Sequence, residues 1–186
     1  MTPWDAEAAE WYAANYGEYA TNRLAVEALE LEPDAVVVDV GCATGSALRH
    51  AASAVSAGNL IGVDPVPRMI ELARERTAGH PAAPRIEFRL GHAEHLPVDD
   101  AAADVVLAFD SVDHWQDVAR GLSEIRRILH PAGRLVVVKD ASVPGERMAR
   151  RAFVDALARA GFVVSREEQI AGADVRFTLW ICEVAS

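Results

Sequence analysis

The sequence predicts a doubly wound α/β domain built around a mostly parallel sheet. Residues 36–40 form an apolar, β-branched run interrupted only by Asp39, which is typical of a central strand covered by helices on both faces. The run leads directly into a turn with Gly41 and Gly45, where the backbone can bend tightly and approach a ligand. Along the rest of the chain, segments with strand character alternate with helical segments, which is the pattern of parallel β-α-β units.

The first half of the chain gives clear element predictions. Residues 6–31 predict one or two helices that precede the first strand. After the glycine turn, the alanine-rich residues 46–57 favour a helix, and residues 59–64 form a second apolar strand. Prolines then interrupt the chain before a helix over 68–77, whose apolar side chains recur at core spacing.

The second half continues the alternation. Residues 85–90 alternate in polarity as a third strand, and residues 103–109 form a fourth, apolar strand. A helix over 118–129 ends before Pro131 and Gly133. The remaining predictions are strands over 134–139, 162–167 and 174–184 and a helix over 145–160.

Composition and charge exclude several classes of function. The 186-residue chain has a formal net charge of -10 and a pI near 5.0, so it lacks the basic surface that nucleic-acid binding needs. No run reaches the ~18 apolar residues of a membrane span, and the first residues do not resemble a signal peptide. Two cysteines are too few for a disulfide framework. We therefore expect a cytoplasmic protein that binds neither nucleic acid nor membrane.

Spacing separates two interpretations of the glycine turn. A dinucleotide fingerprint requires G-x-G-x-x-G/A, but Ala43 and Ser46 occupy its second and third positions. The turn instead has an acidic residue, Asp39, two positions before Gly41. This pattern resembles the first motif of the class I S-adenosylmethionine-dependent methyltransferases, in particular the family known as methyltransferase type 11. That cofactor carries an ammonium and a sulfonium, so a nearby carboxylate is physically suitable.

The resemblance covers roughly residues 31–140 and continues through four further motifs in the family's order. The matching segments are residues 62–73 at the second strand, 91–98 after the third, 104–115 along the fourth, and 124–135 before the fifth. Each motif alone is degenerate, but five in sequence form a specific signal.

The resemblance implies a Rossmann-like class I methyltransferase fold, with a seven-stranded, mostly parallel sheet whose last strand is antiparallel. Asp39 and the loop 41–45 would hold the methionine end of S-adenosylmethionine. Asp64, about 20 residues after the turn, would accept hydrogen bonds from both ribose hydroxyls. Ala93 would contact the adenine edge through its backbone, and Phe109 lies where strand four faces the methyl group. The expected cofactor-binding residues are Asp39, Gly41, Ala43, Gly45, Asp64, Pro65, Met69, His92, Ala93, Glu94 and Phe109.

Three departures from the family pattern affect these expectations. Ala43 stands where glycine is common, and its methyl group is harmless if its φ is negative. His92 stands where an acidic residue commonly accepts from the adenine amine; a neutral imidazole nitrogen can still accept, whereas a protonated one cannot. Only residues 140–144 separate strand five from the next helix, where many relatives insert a substrate-binding lid. Substrate specificity is therefore expected to come from elsewhere.

The N-terminal segment is the expected source of that specificity. All three tyrosines of the chain, Tyr12, Tyr16 and Tyr19, fall there together with Trp4 and Trp11. Such side chains can cover an active site and stack on a flat acceptor, although the same spacing also fits a helix that packs on the sheet. Tyr16 and Tyr19 are the expected substrate contacts.

The loop after strand four supplies a candidate base and further substrate contacts. His114 lies where the acceptor approaches in the family, and an imidazole suits proton transfer near neutral pH; the alternative is that it only shapes the pocket. Asp110 and Asp113 could orient His114, bind a cationic acceptor or be solvated turn residues, and Trp115 borders the acceptor. The loop 92–95 holds two histidines and a glutamate, but adjacent ligands rarely complete a metal shell, so no metal site is expected.

These observations predict an enzyme that transfers a methyl group from S-adenosylmethionine to a small molecule. We expect one domain over residues 1–186, with a helical cap (1–31), a cofactor-binding core (32–140) and a C-terminal helix and strand pair (141–186). A homodimer is compatible with the sequence. Two other functions remain open: a cofactor-binding but inactive subunit that supports a partner enzyme, and a nicotinamide-dependent oxidoreductase, which the incomplete glycine fingerprint disfavours.

Overall fold

A seven-stranded sheet forms the centre of the computed structural model, which describes residues 5–140 and 148–185. The strands are β1 Val37–Val40, β2 Leu60–Asp64, β3 Ile86–Leu90, β4 Ala103–Phe109, β5 Leu129–Asp140, β6 Phe162–Gly172 and β7 Val175–Val184. Their order is β3-β2-β1-β4-β5-β7-β6, and β7 runs antiparallel to both of its neighbours. The predicted fold class is confirmed.

Helices cover both faces of this sheet. They are α1 Ala6–Tyr16, α2 Ala20–Glu27, α3 Ser46–Ala51, α4 Pro67–Thr77, α5 Val118–Ile128 and α6 Arg150–Arg159. Side chains of α2, α3 and α4 pack with Val37 and Leu107 on one face, and those of α5 and α6 pack with Val38 and Val106 on the other. Apart from Asp39 and Asp64, the central strands β1 and β2 are apolar, because both of their faces are covered. Within the described ranges, no helix is long and apolar enough to cross a bilayer.

The strand order places a crevice at the carboxyl-terminal end of the central strands. β1 pairs in parallel with β2 on one side and with β4 on the other. The chain runs outward from β1 through β2 to β3 and then returns to the opposite side of β1. The connections that follow β1 and β4 therefore diverge, and a crevice forms at the carboxyl ends of these strands.

Some predicted boundaries differ from the structure for local reasons. Helix α3 ends at Ala51 rather than at residue 57, because the N–H groups of Ala57 and Gly58 donate to the carbonyl of Pro33 (2.7 and 3.0 Å). Strand β6 extends five residues further than predicted on the hairpin side, since it remains paired with β7 as far as Gly172 and Val175, and β7 begins one residue later than predicted.

The fifth strand and the last helix also differ from their predictions. β5 begins five residues early, where Leu129 pairs with Ala103 of β4 before the register shifts. The helix predicted over 145–160 is observed as α6 Arg150–Arg159. The predicted positions 145–147, the connection 141–144 and Trp4 lie outside the described residues.

Polar contacts hold α1 and α2 against the loop that follows β1. The hydroxyl of Thr44, in that loop, donates to the carbonyl of Gly17 at 2.6 Å. Glu18 accepts from Arg49 at 2.5 Å and from Arg76 at 3.2 Å. The side chain of Arg49 is only 11% exposed, so its ion pair is less screened by solvent than one on the open surface. The two N-terminal helices are thereby positioned beside the crevice.

Candidate active site

A cavity of about 370 Å³ lies at the carboxyl ends of β1, β2 and β4. Its lining residues are Tyr12, Val40, Gly41, Ala43, Val63, Asp64, Pro65, Val66, Met69, Gly91, His92, Ala93, Glu94, Phe109, Asp110, Ser111, His114, Trp115 and Gln116. They come from the last residues of β1, β2 and β4, from the connections that follow β1, β2, β3 and β4, and from α1 and α4. The cavity therefore occupies the crevice that the strand order creates.

Most of the site residues predicted from the sequence lie in this lining. The predicted cofactor residues found there are Gly41, Ala43, Asp64, Pro65, Met69, His92, Ala93, Glu94 and Phe109, and the predicted substrate-side residues are Asp110, His114 and Trp115. The lining does not include the predicted residues Asp39, Gly45, Tyr16, Tyr19 and Asp113.

The loop after β1 approaches the cavity with its backbone. Gly41 has a φ of +81°, and a Cβ at this position would lie 2.5 Å from the Cβ of Ser111. Gly45 has a φ of +75° at the start of α3, and a Cβ there would lie 2.6 Å from the ring of Phe88. Both positions require glycine, but Gly45 shapes the turn from behind the cavity and does not line it.

Ala43 adopts the conformation for which glycine is better suited. Its φ is +44°, which lies in the left-handed region, so the condition under which its methyl group would be harmless is not met. This conformation costs an L-residue roughly 1–2 kcal/mol. The N–H of Ala43 donates to Oδ2 of Asp64 at 2.9 Å, and this hydrogen bond helps to hold the strained turn in place.

Asp64 joins the loops after β1 and β2. Its Oδ2 accepts from Ala43, and its Oδ1 accepts from the N–H of Val66 at 2.9 Å. Burial raises the pKa of Asp64 to about 6, although both N–H donors and the charge of His92 act in the opposite direction. Each carboxylate oxygen has a second acceptor position, so Asp64 can hold the loops and also accept from a ligand hydroxyl.

Asp39 lies behind the lining rather than in it. It is 3% exposed and is paired in the sheet with Gly62 of β2 and Leu107 of β4. Burial, together with the negative charge of Asp64, raises the pKa of Asp39 to about 7. Asp39 therefore adds a second buried, titratable carboxylate beside the cavity without touching its interior.

Tyr12 is the tyrosine that lines the cavity, not Tyr16 or Tyr19. Burial raises the pKa of Tyr12 well above its usual range, and nearby carboxylates, chiefly Asp110 and then Asp64, act in the same direction. The ring centroid of Tyr16 lies 5.5 Å from that of Tyr12 and 5.4 Å from that of Tyr19. The three tyrosines form a continuous row, and only its first member reaches the cavity.

The loop after β3 is a tight turn whose backbone contributes to the lining. His92 and His95 form an isolated bridge, and the N–H of His95 donates to the carbonyl of His92 at 3.0 Å. Ala93 is buried between them, and the side chain of Glu94 accepts from the N–H of Asp117 at 2.9 Å. In the part of the chain that the structure describes, no group of three or more histidine, cysteine or acidic side chains is placed to hold a metal ion.

The loop after β4 forms the opposite wall of the cavity. Asp110 has a φ of +51°, and its Oδ1 accepts from the N–H of Asp140 at 2.7 Å. The hydroxyl of Ser111 donates to the last carbonyl of β1 at 2.6 Å. His114 ends a short turn of 3₁₀ helix, and Trp115 follows it. Hydrogen bonds to both neighbouring strands thus fix this wall.

Asp113 points away from the cavity into a structural contact. Its carboxylate forms an ion pair with Lys139 at 2.7 Å and accepts from the N–H of Met148 at 2.8 Å. The two charged side chains are 9% and 10% exposed. Asp113 is therefore not among the residues available to an acceptor in the cavity.

Sequence analysis missed seven lining residues. They are Tyr12, Val40, Val63, Val66, Gly91, Ser111 and Gln116. Most of these adjoin a motif residue in the chain, so their position at a strand end was a usable signal. Tyr12 carried a weaker signal, because its helical spacing to Tyr16 does not reveal which end of the helix meets the cavity.

The charge of the lining favours neutral or cationic ligands. Asp64, Glu94 and Asp110 contribute carboxylates, and the described lining contains no lysine or arginine. A concave surface with this excess of acidic over basic side chains attracts positive charge and repels anions.

A match to a known family model shows the family to which this chain belongs. The model of the family described as "Methyltransferase domain" matches residues 38–137, just over half of the chain. This chain belongs to the methyltransferase domain family. The matched region runs from β1 to β5 and contains the loops that follow β1, β2, β3 and β4. The predicted resemblance to the class I S-adenosylmethionine-dependent methyltransferases is confirmed as family membership.

Individual relatives agree with this assignment. A demethylmenaquinone methyltransferase of Symbiobacterium thermophilum is 37% identical over 118 residues, which are 63% of this chain and 47% of the relative. A ubiquinone/menaquinone biosynthesis C-methyltransferase of Geobacter sulfurreducens is 33% identical over 132 residues, which are 70% and 51% of the two chains. This methyltransferase domain thus spans about half the length of these relatives. A solved SAM-dependent methyltransferase from Aquifex aeolicus shares the fold with a TM-score of 0.79 and 16% identity, over 97% of this chain and 100% of the other.

The cavity fits S-adenosylmethionine, the cofactor of this methyltransferase domain. Its volume of about 370 Å³ is that of a small-molecule site. The loop at Gly41 exposes backbone where a larger side chain would not fit, and Asp64 offers acceptors for hydroxyl groups. The acidic lining suits a ligand that carries an ammonium and a sulfonium.

Substitution Ala43→Gly should stabilise the protein by up to about 1 kcal/mol, because removal of the left-handed strain outweighs the entropic cost of glycine. Chemical denaturation of both proteins measures the difference. Ala47→Gly, in helix α3, is the matched control and should destabilise by about 1 kcal/mol. Equal losses from the two substitutions would contradict the strain at Ala43.

Substitution Asp39→Asn should stabilise the ligand-free protein near pH 8 and have little effect near pH 4. The folded-state pKa of about 7 exceeds the ordinary value of 3.8. The folded state therefore binds this proton more tightly than the unfolded chain does, and stability falls as pH rises from about 4 to about 7. Removing the charge should restore on the order of 1–3 kcal/mol at high pH.

Urea unfolding of wild type and Asp39→Asn at several pH values measures this effect. Asp34→Asn, which changes an exposed carboxylate, is the control and should show no pH-dependent gain. A gain from Asp39→Asn that grows toward acid pH would contradict the direction of the shift.

Proposed function

We propose that this methyltransferase domain methylates a small organic molecule that is neutral or positively charged at the end that enters the cavity. The acidic lining, without lysine or arginine among the described residues, is the observation that carries the proposal. An anionic acceptor would have no cationic partner there. The names of the two relatives, which refer to demethylmenaquinone and to ubiquinone/menaquinone biosynthesis, support a small-molecule acceptor.

The walls formed by β1, β2 and β3 would hold the cofactor. In this proposal the carboxylate of Asp64 accepts from the ribose hydroxyls, using the acceptor positions left by its two backbone donors. The backbone between Gly41 and Ala43 borders the methionine end, and Asp39 contributes negative charge from behind the loop. The buried backbone of Ala93 meets the adenine edge. Pro65, Met69, His92 and Glu94 complete this part of the lining.

The loop after β4 and the side chain of Tyr12 would receive the acceptor. When bound, S-adenosylmethionine would supply a methyl carbon on a positively charged sulfur, which serves as the leaving group for in-line attack by the acceptor. Phe109 and Trp115 provide flat apolar surfaces that can align a ring for this approach. Tyr12 covers the cavity from α1 and excludes water. Asp110 gives this end of the cavity its negative charge.

His114 is the residue we propose as the general base. An acceptor that carries a proton on the attacking atom must lose it, and a nitrogen of the His114 imidazole can take it near neutral pH. The position of His114 in the lining between Ser111 and Trp115 supports this role.

Titration calorimetry with S-adenosylmethionine and S-adenosylhomocysteine tests the cofactor site. Wild type should bind both, and Asp64→Ala should bind about 10–100-fold more weakly, because it loses charge-assisted hydrogen bonds to the ribose. Asp64→Asn keeps the side-chain volume but turns an amide donor toward one of the two backbone N–H groups, so it tests the requirement for a carboxylate. Asp34→Asn is the surface control.

Circular dichroism establishes that each variant is folded before it is titrated. Unchanged affinity in Asp64→Ala would remove Asp64 from the site. Absence of binding by folded wild type would overturn the proposal that the domain acts alone and would favour a subunit that requires a partner enzyme.

Substitution His114→Asn should lower kcat by about 10²–10⁴-fold, with an acceptor found by screening neutral and cationic compounds for methylation. Affinity for S-adenosylmethionine should stay within about twofold of wild type, since His114 faces the acceptor. Transfer rates measured at saturating cofactor give the comparison. An unchanged kcat would mean that His114 only shapes the pocket.

A further inference from the structure

Strand β6 is a long edge strand with hydrogen-bonding capacity left on one side. It contains 11 residues and is paired only with β7 among the described residues. The opposite edge strand, β3, has five residues, and Arg89 on it donates to the carbonyl of Pro97. An unpaired strand edge presents a row of N–H and C=O groups that can pair with another strand.

The charges on β6 are self-complementary about Glu167. Arg166 and Glu168 flank it, lie on the same face of the strand and form an ion pair with each other. Both side chains are nearly half exposed, at 45% and 44%. If two copies of β6 pair antiparallel with Glu167 opposite its equivalent, Arg166 of each copy stands directly opposite Glu168 of the other. The contact between opposite charges, Arg166 of one copy and Glu168 of the other, then occurs twice.

The residue at the centre of this arrangement already has a partner. Glu167 accepts two hydrogen bonds from Arg150 of α6, and these hold the pKa of the Glu167 carboxyl below its ordinary value. Two Glu167 side chains facing each other across a twofold axis would each be neutralised by their own arginine. The repulsion between the two Glu167 carboxylates at the axis is therefore reduced.

We propose that two copies of this chain associate through antiparallel pairing of their β6 strands, centred on Glu167, so that the two sheets become one. With Glu167 at the centre, the pairing covers residues 166–168 of each strand, because the register of β6 against β7 shifts between Val164 and Arg166. The interface is one strand wide and belongs to the small, weak class. The dimer dissociates on dilution, and salt weakens it because exposed ion pairs contribute to it.

Sedimentation velocity of the whole chain over roughly a hundredfold range of concentration tests the proposal. Wild type should shift from monomer to dimer as the concentration rises. Arg166→Glu and Glu168→Arg should each weaken self-association about tenfold, since each places like charges opposite one another at two positions. An equimolar mixture of these two variants should recover a dimer, because the charges become complementary between the unlike chains.

Glu87→Arg, which alters a similar ion pair on the opposite edge strand, is the matched control and should dimerise like wild type. A chain that stays monomeric at every concentration would overturn the proposal. A dimer that both β6 variants leave intact, or a mixture that fails to recover association, would also overturn it. Circular dichroism of each variant establishes that the loss is not a loss of folding.

Discussion

The carboxylate of Asp64 sets the relative position of the two loops on which the cavity depends. One oxygen accepts an N–H from the loop after β1, and the other accepts an N–H from the loop after β2. The hydrogen bond from Ala43 helps to keep this residue in its left-handed conformation. An amide at position 64 would turn a donor toward one of these N–H groups, so the geometry requires a carboxylate.

The sequence was informative wherever a role follows from position on a strand. Asp64 ends β2 beside the end of β1, and parallel strands place such ends together, so its location in the cavity was predictable. Which of several neighbouring residues faces the cavity was not predictable from the sequence. Asp110 faces the cavity while Asp113 turns to Lys139, because Asp113 lies within a short helical turn that redirects the chain after Asp110. Likewise, the spacing of the tyrosines could not show that Tyr12 is the one that reaches the lining.

The two N-terminal helices are connected to both walls of the cavity through shared residues. On one side, the hydroxyl of Thr44, which follows Ala43, donates to the carbonyl of Gly17, the residue directly after α1. On the other, the hydroxyl of Thr21 in α2 donates to the buried carboxylate of Asp140 at 2.5 Å, while the N–H of Asp140 donates to Asp110. These contacts connect the two N-terminal helices with the loop after β1 and with the loop after β4.

The raised pKa values of Asp39 and Asp64, about 7 and about 6, make the cavity sensitive to the charge of what enters it. Near neutral pH, part of the ligand-free population holds a proton on this pair. A bound sulfonium would favour the ionised carboxylates, so cofactor binding would be coupled to proton release. Once the methyl group has left, the sulfur is neutral and this attraction weakens. In the proposed reaction, the buried acids would therefore favour the charged cofactor over the neutral thioether that remains after methyl transfer.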